Sequence, residues 1–265
     1  MDFHLSGKKA LVTGSTAGIG YAIARALAAE GACVVVNGRR EDTTREAEAR
    51  LRAELGSGAT LLSAAADLGT ASGCAALLAA HPDVDILVNN LGIFEPKRFE
   101  AIPDEDWMRF FEVNVMSGVR LSRHYLPRMK ALGWGRVVFI SSESGLCPPP
   151  EMVHYGMSKS AQLSIARGLA ETTTGTAVTV NSVLPGPTRT ESVQAFFAKL
   201  AEEQGQSPEQ FEAHFFESER PTSILKRLID PAEVAAVVAF VCSPQAAAIN
   251  GAAIRAEGGV VRCLG

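Results

Sequence analysis

Short runs of β-branched and aliphatic residues alternate with longer alanine-rich stretches along the whole chain. Runs at Lys9–Val12, Cys33–Asn37, Thr60–Ala64, Ile86–Asn89, Val137–Ile140 and Val178–Val183, with a last one near Ala252–Arg255, predict about seven strands. Their apolar character is nearly continuous, as expected of strands covered on both faces. The segments between them are long enough for helices, so right-handed βαβ crossovers and one parallel sheet follow. The expected fold is α/β: a doubly wound, Rossmann-like parallel sheet with helices on both faces, in a single domain over 1–265.

Two segments interrupt the alternation. Cys147–Pro150, CPPP, reads as a rigid loop after the fifth strand, because proline cannot occupy a helix interior. Residues 192–221 form a polar and aromatic insertion with Phe196, Phe197, Phe211, Phe215 and Phe216, longer than an ordinary αβ connection. Two readings fit it: a substrate lid, or a surface helical pair whose phenylalanines dock on the core or on another subunit.

Composition narrows the function classes. With 47% hydrophobic and 20% charged residues, the 265-residue chain is expected to bury a large core rather than stay disordered. A formal charge of −4 offers no broad basic surface, which argues against nucleic acid or an anionic membrane and for a small-molecule partner. The first residues lack the pattern of a secretory signal and no run approaches a membrane span, so a cytoplasmic protein is expected. Cys33, Cys74, Cys147, Cys242 and Cys263 show no C-x-x-C pairing and read as buried free thiols, with no metal site.

Candidate chemistry collects after the strands, where open parallel sheets bind ligands. After the first comes VTGSTAGIG, Val12–Gly20, in which Gly14, Gly18 and Gly20 precede a helix-favouring run, Tyr21–Glu30. A strand, a glycine turn and a helix N-terminus make an anion site, because glycine admits a phosphate and the helix end presents unpaired N–H groups. GRR (Gly38–Arg40) follows the second strand, Asp67-Leu68 the third, NNLG (Asn89–Gly92) the fourth, Ser141-Ser142 the fifth and PGPTRT (Pro185–Thr190) the sixth. Tyr155 and Lys159, four apart on one helix face, would meet in a single cleft. A lysine ammonium beside a phenol is expected to lower a tyrosine pKa from about 10, suiting Tyr155 to proton transfer.

The ordered set T-G-x-x-x-G-I-G, N-N-x-G, a downstream Asn, Ser142 thirteen residues before Tyr155, Y-x-x-x-K and P-G resembles the short-chain dehydrogenase/reductase family, from Thr13 to Ala256–Gly259. Its 3-oxoacyl-reductase-like and gluconate-dehydrogenase-like branches both stay open. The resemblance implies an NAD(P)-dependent oxidoreductase acting on a carbonyl or secondary alcohol. Tyr155 would be the general acid/base, Ser142 would hydrogen-bond the substrate oxygen, Lys159 would hold the nicotinamide ribose, and Asn114 would anchor a proton-relay water chain. It further implies cofactor contacts from Gly14, Thr16, Gly18, Ile19 and Gly20, from Asp67 and Leu68 at the adenine, from Asn90 and Gly92, and from Pro185, Gly186, Thr188 and Thr190 at the nicotinamide. Simpler roles compete: a helix N-cap for Asp67, a turn serine or cap for Ser142, and a buried helix-kink residue for Asn114.

Where an acidic residue would bind the adenosine ribose hydroxyls, Arg39 and Arg40 follow the second strand, and a guanidinium can take a 2′-phosphate bidentately. NADP is the expected cofactor, with NAD the alternative because Ala17 brings no basic residue to the turn. Two departures from the family pattern carry expectations. Leu91, in place of alanine, is expected to narrow the space beside the cofactor, and Ala256-Glu257, in place of Val-Asp, to affect packing more than chemistry. A homo-oligomer, tetramer or dimer, is implied by resemblance only, and the apolar tail GGVVRCLG fits either an interface or its own sheet. The other functional class is a non-catalytic, dinucleotide-binding redox sensor.

Overall fold

A computed structural model describes residues 2–263. Seven parallel strands form one sheet in the order 3-2-1-4-5-6-7. They are β1 (Lys9–Val12), β2 (Cys33–Gly38), β3 (Leu61–Ala65), β4 (Ile86–Asn89), β5 (Gly135–Ile140), β6 (Val178–Pro185) and β7 (Ala253–Ala256). The helices between them are α1 (Gly18–Ala29), α2 (Glu41–Leu55), α3 (Ala71–Ala80), α4 (Asp104–Phe110), α5 (Ser117–Leu132) and α6 (Val153–Glu171). Then come α7 (Glu191–Glu203), α8 (Pro208–Ser218) and α9 (Pro231–Cys242). This is the doubly wound α/β fold.

The two-residue period of each strand divides the core. Ala10, Val12, Val34, Val36, Ile86 and Val88 point to one face, where Ile23 and Leu27 of α1, Leu51 of α2 and Val234 and Val238 of α9 cover them. Leu11, Val35, Leu87, Val137 and Phe139 point to the other, against Leu77 of α3, Tyr125 and Met129 of α5 and Ala166 of α6. Each such side chain, fully buried, contributes about 1.5–3 kcal/mol. The edge strands β3 and β7 are the exceptions: most of their residues are only partly covered or exposed.

Some local expectations shift. Cys74 and Cys242 are buried and Cys33 is half-buried, but Cys147 and Cys263 are exposed, because the proline loop and the C-terminal tail lie on the surface. In that tail Val260 and Val261 are buried within their own chain, while Leu264 and Gly265 lie outside the described residues. Glu257 explains part of this packing: its carboxylate accepts from the backbone N–H groups of Val260 and Val261. Among the described residues no helix is long and apolar enough to cross a membrane, and no group of three His, Cys, Asp or Glu side chains could hold a metal ion.

His154, next to Tyr155 on α6, is fully buried, stacks on Phe110 at 4.1 Å between ring centroids, and has no hydrogen-bond partner at either ring nitrogen among the described residues. Burial lowers its pKa; Asp106 and Glu95 oppose the shift, and Lys97 and Arg109 reinforce it. Below the ordinary histidine value of about 6.5 the unfolded chain therefore binds a proton that the native state resists. Stability should fall as the pH drops through that range. In thermal melts, the His154→Phe variant should lose less of its midpoint between pH 7 and pH 5 than the parent does; an equal loss would exclude His154 as a source.

Candidate active site

At the β1–β4 junction the glycine turn is built on side-chain hydrogen bonds. The Thr13 hydroxyl accepts from the N–H groups of Asn90 and Leu91, both at 2.9 Å, and lies 3.3 Å from the Val88 carbonyl, to which it donates. The Asn90 amide donates to the carbonyls of Thr13 and Gly14 at 2.9 and 3.1 Å, so it braces the turn from below. Asn37, at the end of β2, accepts from the Gly14 N–H at 3.1 Å and donates to the Ala64 carbonyl at 2.9 Å. Nothing in the sequence distinguished Asn37 from an ordinary strand residue.

The turn leaves no room for side chains. Gly18 has φ of +56°, and a Cβ on Gly20 would come within 2.4 Å of the Gly14 carbonyl. Such a Cβ would force the turn apart. Thr16 packs against Gly38, where a Cβ would meet its methyl at 2.5 Å.

Helix α1 begins at Gly18 with Ala17 in the capping position and no side-chain cap. Its free N–H groups already attract an oxyanion: the Glu191 carboxylate, from the first turn of α7, accepts from the Gly18 N–H at 3.1 Å. The turn thus fits the pyrophosphate of a dinucleotide.

The structure separates the two arginines after β2. The Arg40 guanidinium is engaged by the Asp42 carboxylate, whereas Arg39 is exposed with no ion pair among the described residues. The Asp67 carboxylate accepts from the Gly69 N–H at 3.1 Å, and Thr70, not Asp67, caps α3. Leu68 is buried in the core on one face of the sheet, and its carbonyl accepts from the Cys74 thiol. The half-buried Leu91 side chain packs against that same core and lies beside Gly14 of the glycine turn.

The catalytic candidates converge from three elements. Ser142 follows β5, Tyr155 and Lys159 lie on α6, and Asn114 sits in a π-helical turn, 111–116, between α4 and α5. The Asn114 amide bridges the Ile93 backbone and the Ser158 hydroxyl at 2.8–3.0 Å, and its own carbonyl accepts from Gln162 at 2.6 Å. Lys159, buried, donates to the Ile140 carbonyl at 2.8 Å with its ammonium 5.6 Å from the Tyr155 ring centroid. Burial lowers the lysine pKa to about 8, against the opposing charge of Glu143. The expected lowering of the Tyr155 pKa is not found: burial and then the Glu143 charge push the phenol well up, and a hydrogen bond with Ser142 only partly offsets them. Lys159 is not among the groups that shift it, its ammonium lying 5.6 Å from the ring centroid and donating to the Ile140 carbonyl.

Glu143 was not singled out in the sequence. It is 94% buried, being only 6% exposed, and takes the Ser142 hydroxyl proton in a hydrogen bond. Arg220, at the end of the insertion, reaches its carboxylate at 3.7 Å and that of Glu151 at 3.2 Å. An acid directly after the serine pair was the one available signal.

These groups line a cavity of ≈ 920 Å³ that runs from Gly18–Gly20 past Asn90 and Gly92 to Ser142, Tyr155 and Lys159. Pro185, Gly186, Thr188 and Thr190 form one wall, and α7 and α8 cover its far end. Gly186 sits against Glu257, leaving no space for a Cβ; the Thr188 hydroxyl donates to the Gly186 carbonyl at 2.8 Å, and Thr190 caps α7. Phe196, Phe197, Phe211 and Phe215 border the cavity and meet one another in tilted or edge-on pairs; Phe197 and Phe211 share the helical pair's own core with Phe216, which does not line the cavity.

A doubly wound sheet with a pyrophosphate-fitting turn opening into a buried Ser-Tyr-Lys cluster defines a dinucleotide-dependent oxidoreductase. The chain belongs to the short-chain dehydrogenase family, whose model matches residues 8–201. It is 54% identical over 264 residues, covering 100% of both chains, to uncharacterized oxidoreductase YvaG of Bacillus subtilis (strain 168). It is 34% identical over 261 residues to the D-beta-hydroxybutyrate dehydrogenase of Cupriavidus necator, covering 97% of this chain and 99% of that one. Among solved structures, L-sorbose reductase from Gluconobacter frateurii, complexed with NADPH and L-sorbose, superposes with a TM-score of 0.93 at 30% identity, with 100% of each chain covered.

Glu191 holds the amide that a pyrophosphate would take. Replacing it with glutamine should tighten dinucleotide binding about two- to fivefold, the size of one charge at a helix N-terminus. Titration by nicotinamide fluorescence measures this, and weaker binding would assign Glu191 a supporting role instead.

Proposed function

We propose that this chain transfers hydride between NADP(H) and a carbonyl or secondary alcohol, with Tyr155 as general acid/base. The observation that carries the reading is that Ser142, Tyr155 and Lys159 open onto the same cavity as the glycine turn, so one bound dinucleotide reaches both. The nicotinamide supplies or accepts the hydride; the chain provides position, hydrogen bonds and the proton. Raised by its surroundings, Tyr155 holds its proton at neutral pH, which suits donation to the developing alkoxide of a carbonyl under reduction. Ser142 shares the substrate oxygen with Tyr155, Lys159 holds the ribose, and Asn114 anchors a relay water.

Arg39 is the cation for the 2′-phosphate, since Arg40 is committed to Asp42. Residues 192–221 act as a lid: Glu191 fastens the segment's start to Gly18, and Arg220 fastens its end to Glu143. We assign the enzyme to the cytoplasm and to a homo-oligomer, supported by apolar side chains left exposed on the α4–α5 face, among them Met108 and Phe111.

Two measurements test this reading. Tyr155→Phe should lower turnover by about 10²–10⁴-fold while dinucleotide binding persists; unchanged redox signalling without turnover in the parent would favour the sensor. Fluorescence titration should show NADPH bound about tenfold to a hundredfold more tightly than NADH, with the preference lost in Arg39→Ala. Tighter NADH binding assigns an NAD-dependent oxidation instead.

A further inference from the structure

The far end of the cavity combines aromatic walls with a charge arrangement that leaves no cation for a substrate. Arg220 is the fixed cation there, its side chain 11% exposed, and the protein engages each of its nitrogens. Nε faces Glu143 at 3.7 Å, one Nη faces Glu151 at 3.2 Å, and the other donates to the Glu219 carbonyl at 2.8 Å. The guanidinium also lies 5.5 Å from the Phe215 ring centroid, which closes one of its faces. Lys159 is held under Tyr155 against the Ile140 carbonyl, on the ribose side of the cavity, and His214 stands exposed at the rim.

Two carboxylates against one cation give this end an acidic balance. With Glu143 protonated, Arg220 still faces Glu151 and donates to the Glu219 carbonyl, and the Glu219 side chain also borders the cavity. A carboxylate on the substrate would lose its water, compete with Glu151 for a guanidinium already paired, and face that carboxylate. The surfaces available for contact are Met152 and the rings of Phe94, Phe196 and Phe215.

Building on the dehydrogenase reading above, we propose that the substrate is an uncharged ketone or secondary alcohol bearing an aromatic-sized apolar substituent, and that Glu143 and Glu151, held by Arg220, exclude substrates carrying a carboxylate. Selection lies in the pairing of Arg220, not in the Ser-Tyr-Lys cluster.

A matched pair of aryl ketones tests this: methyl 4-acetylbenzoate and 4-acetylbenzoate, which differ in one charge at nearly equal shape. With NADPH, the ester should be reduced with kcat/KM at least about tenfold above that of the acid. In Glu151→Gln one arm of Arg220 is released, so kcat/KM for the acid should rise about threefold or more, mainly through KM, with the ester changing little. General damage to the fold would lower both substrates together and leave their ratio unmoved. Equal or preferred turnover of the acid by the parent overturns the inference and leaves the dehydrogenase reading intact. Failure of the ester to turn over while NADPH binds also overturns it. Failure to bind NADPH or NADH would instead remove the reading on which it rests.

Discussion

The Thr13 hydroxyl satisfies three backbone groups where β1 meets β4, and the rest of the site depends on that junction. In a parallel sheet every strand delivers its carboxyl end to one edge, and a crevice opens where the strand order reverses, between β1 and β4. Backbone at such a crevice cannot all be paired within the sheet. Thr13, Asn37 and Asn90 satisfy it from the side, which leaves the turn's own N–H groups at Gly18 directed outward. The anion site is thus what remains once the protein has satisfied the groups facing inward.

The second half of the site solves a harder problem, the burial of ionisable groups. Tyr155, Lys159 and Glu143 are all withdrawn from water, and desolvation is the leading cause of each shift: it raises the phenol and the carboxyl and lowers the ammonium. Every shift favours the neutral form, so the cluster avoids isolated buried charge. A second cation beside Lys159, Arg220, comes from the insertion and not from the sheet. The chemistry is therefore built on the sheet edge, and its electrostatic setting is completed by a segment added to it.

Most of the fold was legible because strands buried on both faces must be apolar along their whole length. β1 and β4 fall at their expected bounds, and the others differ by one or two residues at strand ends, where turn residues still pair. Tyr155, Lys159 and Ser142 were legible because local spacing and order place them. Asn37 was not, since a polar residue inside VVVNG gives no sign of the turn it will hold. The lysine effect on Tyr155 was overestimated because helical spacing brings two residues together but does not reveal how far burial and Glu143 raise the phenol. The Glu143–Arg220 pair could not be read at all, because the two lie on separate elements joined only by tertiary packing.

This division between sheet and insertion has a mechanical consequence. The start of the insertion is held by a carboxylate on the Gly18 amide, and its end by a guanidinium on the neighbour of Ser142. A pyrophosphate competes with Glu191 for the same N–H groups, and two anions cannot share one helix end without repulsion. The insertion is therefore tied to the sheet at two places of different character: one contact lies on the helix N-terminus where a pyrophosphate would meet Glu191, and the other lies on Glu143, beside Ser142. A change at either end of the cleft acts on the same helical pair, because both contacts belong to one continuous segment.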